Sequence, residues 1–237
     1  MPDPNEFFKA LIAKIDCAYT RLGYDLNWKF LYSPQNTLRK GQRLFFLGLN
    51  PGGEEKEEIS QSFEKGNAYL HDDWGSGPGQ YPLQIQVQGL YRELAEAMNN
   101  GTDYKELMDN SFAANYIPFR SPRWNSLDNK SGALDFAHSF WPAILDYCEP
   151  RAIISIAKEP YGGVRAILLD QGFVSVRSVC EPINWGKATY TLERFSKGDR
   201  SIAMLRLPHL SQYRIFSRER CQQPRRKAIA EIAQALR

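Results

Sequence analysis

The sequence predicts an α/β fold in which helices cover both faces of a central, mainly parallel β-sheet, giving a three-layer α/β/α sandwich. Short apolar runs of strand character alternate with longer segments whose apolar residues recur at helical spacing. The strand-like runs are apolar throughout, which is typical of strands buried on both faces. A chain of 237 residues, 43% of them hydrophobic, is long enough for one such domain.

The first half of the chain begins with a predicted helix over residues 5–23, whose apolar positions recur at helical spacing and which ends at a glycine. A buried strand follows at 44–47. Residues 51–82 hold several glycines and prolines and no long apolar period, so they predict an irregular excursion, which in a compact domain is usually functional or mobile. Pro82 then begins a helix that stops at the Asn-Asn-Gly run 99–101.

The second half of the chain repeats this alternation of strands and helices. Strands are predicted at 111–117, 152–157, 173–179, 187–195 and 201–207, and helices at 133–148, 161–171 and 224–236. No internal repeat, low-complexity tract or linker interrupts the pattern. We therefore expect a single domain over residues 1–237, with an N-terminal helical extension (1–42), a core (43–216) and a C-terminal helix (217–237).

Composition excludes several classes of protein. No apolar stretch approaches the roughly 20 residues of a membrane span, and the amino terminus lacks a signal-peptide pattern, so a soluble cytoplasmic protein is expected. The four cysteines are far apart and form no C-x-x-C pair, which argues against zinc and iron–sulfur sites. We expect reduced, mostly buried thiols and neither a metal nor a cofactor.

The net charge of +3 is small but unevenly distributed. An acidic stretch after the first strand consists of Glu54, Glu55, Glu57, Glu58 and Glu64. The C-terminal part is crowded with basic residues, namely Arg206, Arg214, Arg218, Arg220, Arg225, Arg226 and Lys227. A second basic group, Arg120, Arg123 and Lys130, surrounds Trp124. Basic side chains mixed with an aromatic ring suggest a surface for a polyanion, although a charge run is more often a solvated face.

Three polar side chains follow predicted strands and should meet at one edge of the sheet. Asn50 comes after the first strand, Asn115 ends the second, and His209 follows the last. Open α/β sheets bind ligands at the carboxyl ends of their strands, so two amides and an imidazole there predict a polar, mostly uncharged site. An ordinary strand-to-helix turn remains the alternative for the Asn-Pro-Gly triplet. The chain has no P-loop, dinucleotide fingerprint, G-x-S-x-G elbow or pair of glycosidase carboxylates.

The three segments resemble motifs of the uracil-DNA glycosylase superfamily. They are Gly48-Leu49-Asn50-Pro51-Gly52, Asn115-Tyr116-Ile117-Pro118 and His209-Leu210-Ser211. The first is similar to the water-activating motif of the mismatch-specific and single-strand-selective branches, which carry asparagine in place of aspartate. The second is similar to the strand end whose asparagine reads the pyrimidine edge, and the third to the histidine-led motif. The resemblance spans about residues 43–216 and implies a uracil-DNA glycosylase-like fold.

This resemblance implies a monofunctional DNA glycosylase that acts on a base flipped out of the strand. Asn50 and His209 would be catalytic, Asn50 by holding a water and His209 by a hydrogen bond to the O2 atom of the leaving base. The implied base-binding residues are Gly48, Leu49, Gly52, Tyr81, Asn115 and Ser211. The implied DNA-binding residues are Arg120, Arg123, Tyr213, Arg214, Ile215 and Arg218. Tyr81 is the first choice for stacking and Trp74 the second, and the wedge is expected within residues 212–216. The alternative for Tyr81 is a capping or core aromatic, and for Ile215 and Phe216 it is a helix or loop packed onto the core.

Two departures from the family pattern refine the expected substrate. The excursion after Asn50 is longer and more acidic than in the family, and Leu210 replaces a proline. Gly52 and Gly53 place no bulk beside the C5 position of a pyrimidine, where strict uracil enzymes of the family carry an aromatic residue. Within the expected class of uracil and C5-modified pyrimidines, this favours an enzyme for a modified pyrimidine over a strict uracil enzyme. One alternative is a phage-defence glycosylase that removes hypermodified, for example glucosylated, cytosine.

Other functions are also open on the sequence alone. A non-catalytic nucleic-acid-binding module could retain the fold. A nucleotide or nucleoside hydrolase that acts on small molecules would fit the site but leave the basic C-terminal segment unexplained. No lysine lies in the three motifs, so simple hydrolysis without a Schiff base is expected, with Lys158 as the residue whose mutation would test this. We expect the protein to be a monomer whose partner is single- or double-stranded DNA.

Overall fold

A computed structural model describes residues 3–237 of the chain; Met1 and Pro2, where the predicted N-terminal extension begins, lie outside the described residues. The helices are α1 (Pro4–Leu22), α2 (Ala68–His71), α3 (Pro82–Met98), α4 (Tyr104–Asp109), α5 (Lys130–Cys148), α6 (Lys158–Asp170) and α7 (Gln222–Leu236). The strands are β1 (Leu44–Gly48), β2 (Phe112–Asn115), β3 (Ala152–Ile156), β4 (Val174–Trp185), β5 (Ala188–Lys197) and β6 (Arg200–Leu207).

The six strands form one mostly parallel sheet in the order β2-β1-β3-β6-β5-β4. Strands β2, β1, β3 and β6 run parallel to one another, whereas β5 and β4 are antiparallel and extend one side of the sheet as a hairpin. The predicted α/β class with a mainly parallel central sheet is therefore confirmed. Strand β4 runs to Trp185, well beyond the predicted end at residue 179, because its outer half pairs with the start of β5.

Alternate side chains of β1 are buried on opposite faces of the sheet. Phe45 and Leu47 join the core beneath α1, α5 and α6, whereas Leu44 and Phe46 join the core beneath α3, α4 and α7. All four side chains are at most 3% exposed. Full burial of one such side chain contributes about 1.5–3 kcal/mol, so β1 is stabilised from both layers.

Most predicted boundaries differ from the observed ones by a few residues, and local capping explains the differences. Helix α5 begins three residues early because the Asn129 side chain accepts a hydrogen bond from the amide of Gly132. Helix α1 ends as predicted, with Gly23 in the left-handed conformation. Helix α4 was not predicted; Asp103 caps it by accepting a hydrogen bond from the amide of Lys105. Helix α2 is a single turn inside the irregular excursion.

Within residues 3–237 no helix combines the length and the apolar character needed to cross a bilayer. All four cysteines are free thiols; Cys148 and Cys221 are buried, whereas Cys17 and Cys180 are exposed. The expectation of mostly buried thiols therefore holds for only half of them.

Candidate active site

The parallel part of the sheet brings the three predicted polar residues to one edge. Asn115 pairs in register with Gly48, and Asn50 lies two residues beyond that glycine. His209 lies two residues beyond the end of β6, and β3 separates β6 from β1. Because neighbouring strands are about 4.8 Å apart, the chains that carry Asn50 and His209 leave the sheet roughly 10 Å from each other. The carboxyl end of β3 therefore lies between Asn50 and His209 at this edge of the sheet.

Asn50 is held in one orientation by hydrogen bonds from its amide nitrogen. Nδ2 donates to the hydroxyl of Ser121 at 2.9 Å and to the carbonyl oxygen of Pro51 at 3.0 Å. The Ser121 hydroxyl in turn donates to the carbonyl oxygen of Arg123 at 2.9 Å. Since a carbonyl can only accept, the amide of Asn50 has its nitrogen on this side, and its Oδ1 is left as an acceptor for a water.

Asn115 is 3% exposed, and its Nδ2 is a buried donor with no hydrogen-bond partner. Its side chain lies against Gly48, where a Cβ atom would overlap Oδ1 of Asn115 and would lie 3.3 Å from the hydroxyl of Tyr69. An unsatisfied buried donor costs about 1–3 kcal/mol. A ligand that carries an acceptor would remove this cost, so the geometry favours an acceptor-bearing molecule at this position.

His209 is partly buried, and the contacts of its ring fix the tautomer. The backbone amide of Ser211 donates to Nδ1 at 3.4 Å, and the hydroxyl of the same serine lies 2.7 Å from Nδ1. Since a backbone amide only donates, Nδ1 is the acceptor, and the neutral ring carries its proton on Nε2. Burial lowers the pKa of His209 below its usual value of 6.5, although the negative charge of Glu159 opposes the shift. His209 is therefore a neutral hydrogen-bond donor at neutral pH.

The sequence did not single out Ser121, Tyr69 or Glu159 as residues of the site. Ser121 follows the second predicted strand but has no motif around it, and Tyr69 lies in the irregular excursion on α2. Tyr69 is buried, which raises its pKa well above the usual value of 10.0, so its hydroxyl remains protonated beside Gly48. Glu159 lies in the first turn of α6, directly after β3, and the position after a central strand was the only available signal.

The two glycines after Asn50 have different roles. Gly52 is exposed, and a Cβ atom added to it would meet open space. Gly53 has φ of +121°, and a Cβ atom there would lie 2.7 Å from Nη1 of Arg120. Only Gly52 thus fits the predicted open wall, whereas Gly53 is required by the turn and by the close approach of Arg120.

Ser211 was predicted to bind the base, but in the structure its hydroxyl and amide both contact His209. Leu49 is buried, and its carbonyl oxygen accepts from the amide of Ile117 at 2.9 Å, which extends the pairing of β1 with β2. The predicted stacking residue Tyr81 is 42% exposed and contacts Trp74 with 5.9 Å between ring centroids. Trp74 in turn lies 5.3 Å from Tyr69, so it is closer than Tyr81 to Gly48 along this row of rings.

Two of the residues predicted to contact DNA, Arg120 and Ile215, are buried in the structure. Arg120 is 7% exposed; its guanidinium contacts the carbonyl oxygen of Gly52 and both carboxylate oxygens of Glu57, at 2.9 and 2.6 Å. It is therefore engaged inside the protein and is not free to meet a phosphate. Ile215, a candidate for the wedge, is fully buried in the core beneath α3 and α7. Its neighbour Phe216 packs against Gly89 of α3.

The other predicted DNA contacts lie at the surface. Arg123, Arg214 and Arg218 are exposed, and Tyr213 is partly buried against Trp185, with 6.3 Å between ring centroids. Within residues 3–237 no three His, Cys, Asp or Glu side chains converge as metal ligands would.

The fold and the site together define an α/β protein with a polar, mostly uncharged site at the carboxyl edge of its parallel strands. Comparison of the chain with protein-family models gives no match, and comparison with curated protein sequences gives none either.

Proposed function

We propose that the protein is a monofunctional DNA glycosylase that hydrolyses the N-glycosidic bond of a flipped-out pyrimidine. The observation that carries the proposal is the unpartnered, buried Nδ2 of Asn115, which lies at the same sheet edge as Asn50 and His209. The edge of a pyrimidine offers the acceptor that this donor lacks, either O4 of uracil or N3 of cytosine. The adjacent Oδ1 of Asn115 accepts from N3–H of uracil or from the N4 amino group of cytosine.

The leaving base is stabilised by His209. Cleavage breaks the bond between C1′ and the base nitrogen, and the bonding electrons go to the base, where negative charge develops on O2. The Nε2–H of neutral His209 donates a hydrogen bond to that oxygen without changing its own charge. Removing one such donor typically costs about 3–4 kcal/mol of barrier, or a factor of roughly 100–1,000 in rate.

The attacking water is positioned by Asn50. Its Oδ1 accepts a hydrogen bond from the water and directs the water oxygen to C1′ as the sugar gains oxocarbenium character. An amide is a poor base, so the water loses its proton only after attack, to solvent or to the departing base. This division of roles predicts a modest turnover rate, and it predicts that the rate depends on how good a leaving group the base is.

The substrate class follows from the open side of the site. Gly52 leaves open space where a larger residue would stand beside C5, which supports uracil or a C5-modified pyrimidine as the substrate. A hypermodified cytosine from viral DNA belongs to the same class, so repair and defence are both compatible with this chemistry.

The test is an excision assay on single-stranded and duplex oligonucleotides that carry uracil, a mismatched thymine or a C5-modified cytosine, followed by hot alkali. We expect strand breaks with the wild type and their loss in Asn50→Ala and His209→Ala. Asn36→Ala and His138→Ala are matched controls because both residues are exposed and neither contacts Asn50, Asn115 or His209; the His138 ring pairs with Asp170. Both variants should retain activity. Treatment with borohydride should trap no adduct, since Lys158 is not given a covalent role.

Two results would reject the proposal. Binding to DNA without a break on any of these bases would identify a non-catalytic nucleic-acid-binding module. Release of base from free nucleosides, with no action on oligonucleotides, would identify a nucleoside hydrolase.

A further inference from the structure

The basic side chains of the C-terminal half fall into two groups according to whether they have acidic partners. Away from the candidate site several charges are neutralised in ion pairs, which are Arg225 with Glu93, Arg226 with Glu93 and Glu96, Lys227 with Glu181, and Arg177 and Arg194 with Glu231. Within residues 3–237 no carboxylate forms an ion pair with the cations of the second group. Six members of this group lie scattered in the chain, namely Arg123, Lys130, Arg151, Lys158, Lys197 and Arg237. The other five lie together in one region, near the start of β5, at the end of β6 and in the chain that follows β6; they are Lys187, Arg206, Arg214, Arg218 and Arg220.

This region lies at the same edge as the candidate site. Because β5 is antiparallel to β6, the tip of the β4–β5 hairpin projects from the carboxyl end of β6. Lys187 lies exposed in the turn at this tip. Arg206 donates from Nη2 to the hydroxyls of Thr189 and Thr191 at 3.0 and 2.7 Å, which ties the hairpin to β6 close to His209.

One aromatic side chain contacts two of these cations. The guanidinium carbons of Arg218 and Arg220 lie 5.3 and 5.4 Å from the ring centroid of Trp185, at the end of β4. Tyr213 contacts the same indole, and its amide donates to the carbonyl oxygen of His209 at 3.0 Å. Cation–π contacts of this kind restrict the guanidinium groups while leaving their N–H donors free for a ligand.

The two sides of the candidate site differ in charge, and this difference indicates which side would bind a polyanion. Residues 54–58, which come after Asn50 and β1, contain four glutamates and one lysine, and all are exposed. Glu57 is paired with Arg120, and the other three glutamates form no ion pair within residues 3–237. The segment 213–220, on the β6 side, contains three arginines and one glutamate. A phosphate backbone would be repelled by the first segment and attracted by the second.

We propose that the tip of the β4–β5 hairpin and the segment 213–220 form a phosphate-binding surface for the DNA strand that flanks the base held at Asn115. We call this surface the hairpin clamp; its members are Trp185, Lys187, Arg214, Arg218 and Arg220. The proposal rests on the proposed function for the position of the base. The binding of DNA by the hairpin clamp can be measured without catalysis.

The experiment measures binding of an unmodified, fluorescein-labelled duplex by anisotropy over a series of salt concentrations. Arg220→Gln and Lys187→Gln should each weaken binding and reduce the slope of log K against log [salt] by about 0.9, the value for one phosphate contact. Lys227→Gln is the matched control, because it removes the same charge from a residue already paired with Glu181. It should leave the slope unchanged.

Trp185→Ala should weaken DNA binding more than either single charge substitution, because it removes the indole ring that the guanidinium groups of Arg218 and Arg220 both contact. If this variant does not fold, as judged by circular dichroism, the two glutamine variants decide the question alone. Equal slopes for Arg220→Gln, Lys187→Gln and Lys227→Gln would overturn the hairpin clamp. Altered slopes together with no excision of any base would reject the proposed function and leave the clamp in place, so the two failures are distinguishable.

Discussion

The hydroxyl of Ser121 lies 2.9 Å from Nδ2 of Asn50 and 2.9 Å from the carbonyl oxygen of Arg123. It accepts from the amide and donates to the carbonyl, so it fixes which end of the Asn50 amide faces the site. Ser121→Ala removes this constraint. Because one hydrogen bond is worth about 0.5–1.5 kcal/mol, we expect kcat to fall roughly 3- to 10-fold with KM unchanged.

Ser126→Ala provides the control for this prediction, since the Ser126 hydroxyl also donates to the carbonyl oxygen of Arg123, at 2.8 Å, but does not contact Asn50. It should leave kcat unchanged. In an Asn50→Ala background, Ser121→Ala should have no further effect on single-turnover rates, since the group that it positions is gone. Equal losses of kcat in Ser121→Ala and Ser126→Ala would show that the rate depends on the conformation of the loop and not on the hydrogen bond to Asn50.

The pKa of His209 predicts the acid limb of the pH–rate profile. Burial lowers this pKa below 6.5, and the charge of Glu159 partly restores it. If the neutral ring is the active form, the rate is constant at neutral pH and falls only when the pH drops below the lowered pKa. Glu159→Gln removes the charge that favours the protonated ring, so the pKa falls further and the acid limb moves to lower pH.

This shift is measurable without turnover, since the chain contains only three histidines. Their ring proton resonances can be followed by NMR titration and assigned with His71→Ala and His138→Ala. Glu106→Gln is the control, because Glu106 is exposed on α4, away from the site. An unchanged or raised pKa of His209 in Glu159→Gln would contradict the assignment of Glu159 as its electrostatic partner.

The close approach of Asn115 to Gly48 gives a third prediction. A methyl group at Gly48 would overlap Oδ1 of Asn115, the end of a side chain that can move, and would crowd the hydroxyl of Tyr69. Gly48→Ala should therefore displace the Asn115 amide and reduce excision at least as strongly as Asn115→Ala. Gly52→Ala, at a position with open space, should be much less harmful to a uracil substrate. Excision rates and thermal unfolding of the three variants check this.

How far the sequence predicts this site depends on the range of the contacts involved. Asn115 ends a strand with a clear apolar pattern, and Asn50 and His209 each lie two residues beyond such a strand. Because parallel strands share an edge, the placement of all three at one edge follows from local sequence. Ser121 reaches Asn50 across 71 positions, and no periodicity reports a contact of that kind. Tyr69 lies on a single helical turn inside an irregular segment and gives no signal of its own.

The incorrect predictions have the same origin. Arg120 looks like a phosphate ligand in a run of basic residues, but it meets Glu57, 63 positions away, and is buried by that pairing. Ile215 lies in the segment 212–216, where the resemblance implies a wedge, yet this segment folds back so that the isoleucine enters the core beneath α3, as in the alternative that the sequence left open. Composition predicts the charge of a segment, whereas the direction of each side chain depends on tertiary packing.

The Arg120–Glu57 pair gives the last prediction, which concerns stability. The Arg120 side chain is 6% exposed and the Glu57 side chain 60% exposed, so the pair anchors the exposed acidic segment to the loop after β2. Glu57→Gln leaves a buried charge without an anionic partner, whose acceptors are the carbonyl oxygen of Gly52 and the one oxygen that the amide retains. Since solvent screens the outer partner, we expect a loss of about 1–3 kcal/mol rather than the full cost of breaking a buried pair.

For a chain of this size each kcal/mol lowers Tm by about 2–4 °C, so Glu57→Gln should unfold several degrees below the wild type. Glu58→Gln is the matched control because it removes the same charge from an exposed neighbour that has no ion pair within residues 3–237. Excision should also slow in Glu57→Gln, since the carbonyl of Gly52 belongs to the turn that follows Asn50. Equal Tm values for the two variants would show that Arg120 is held by the backbone alone.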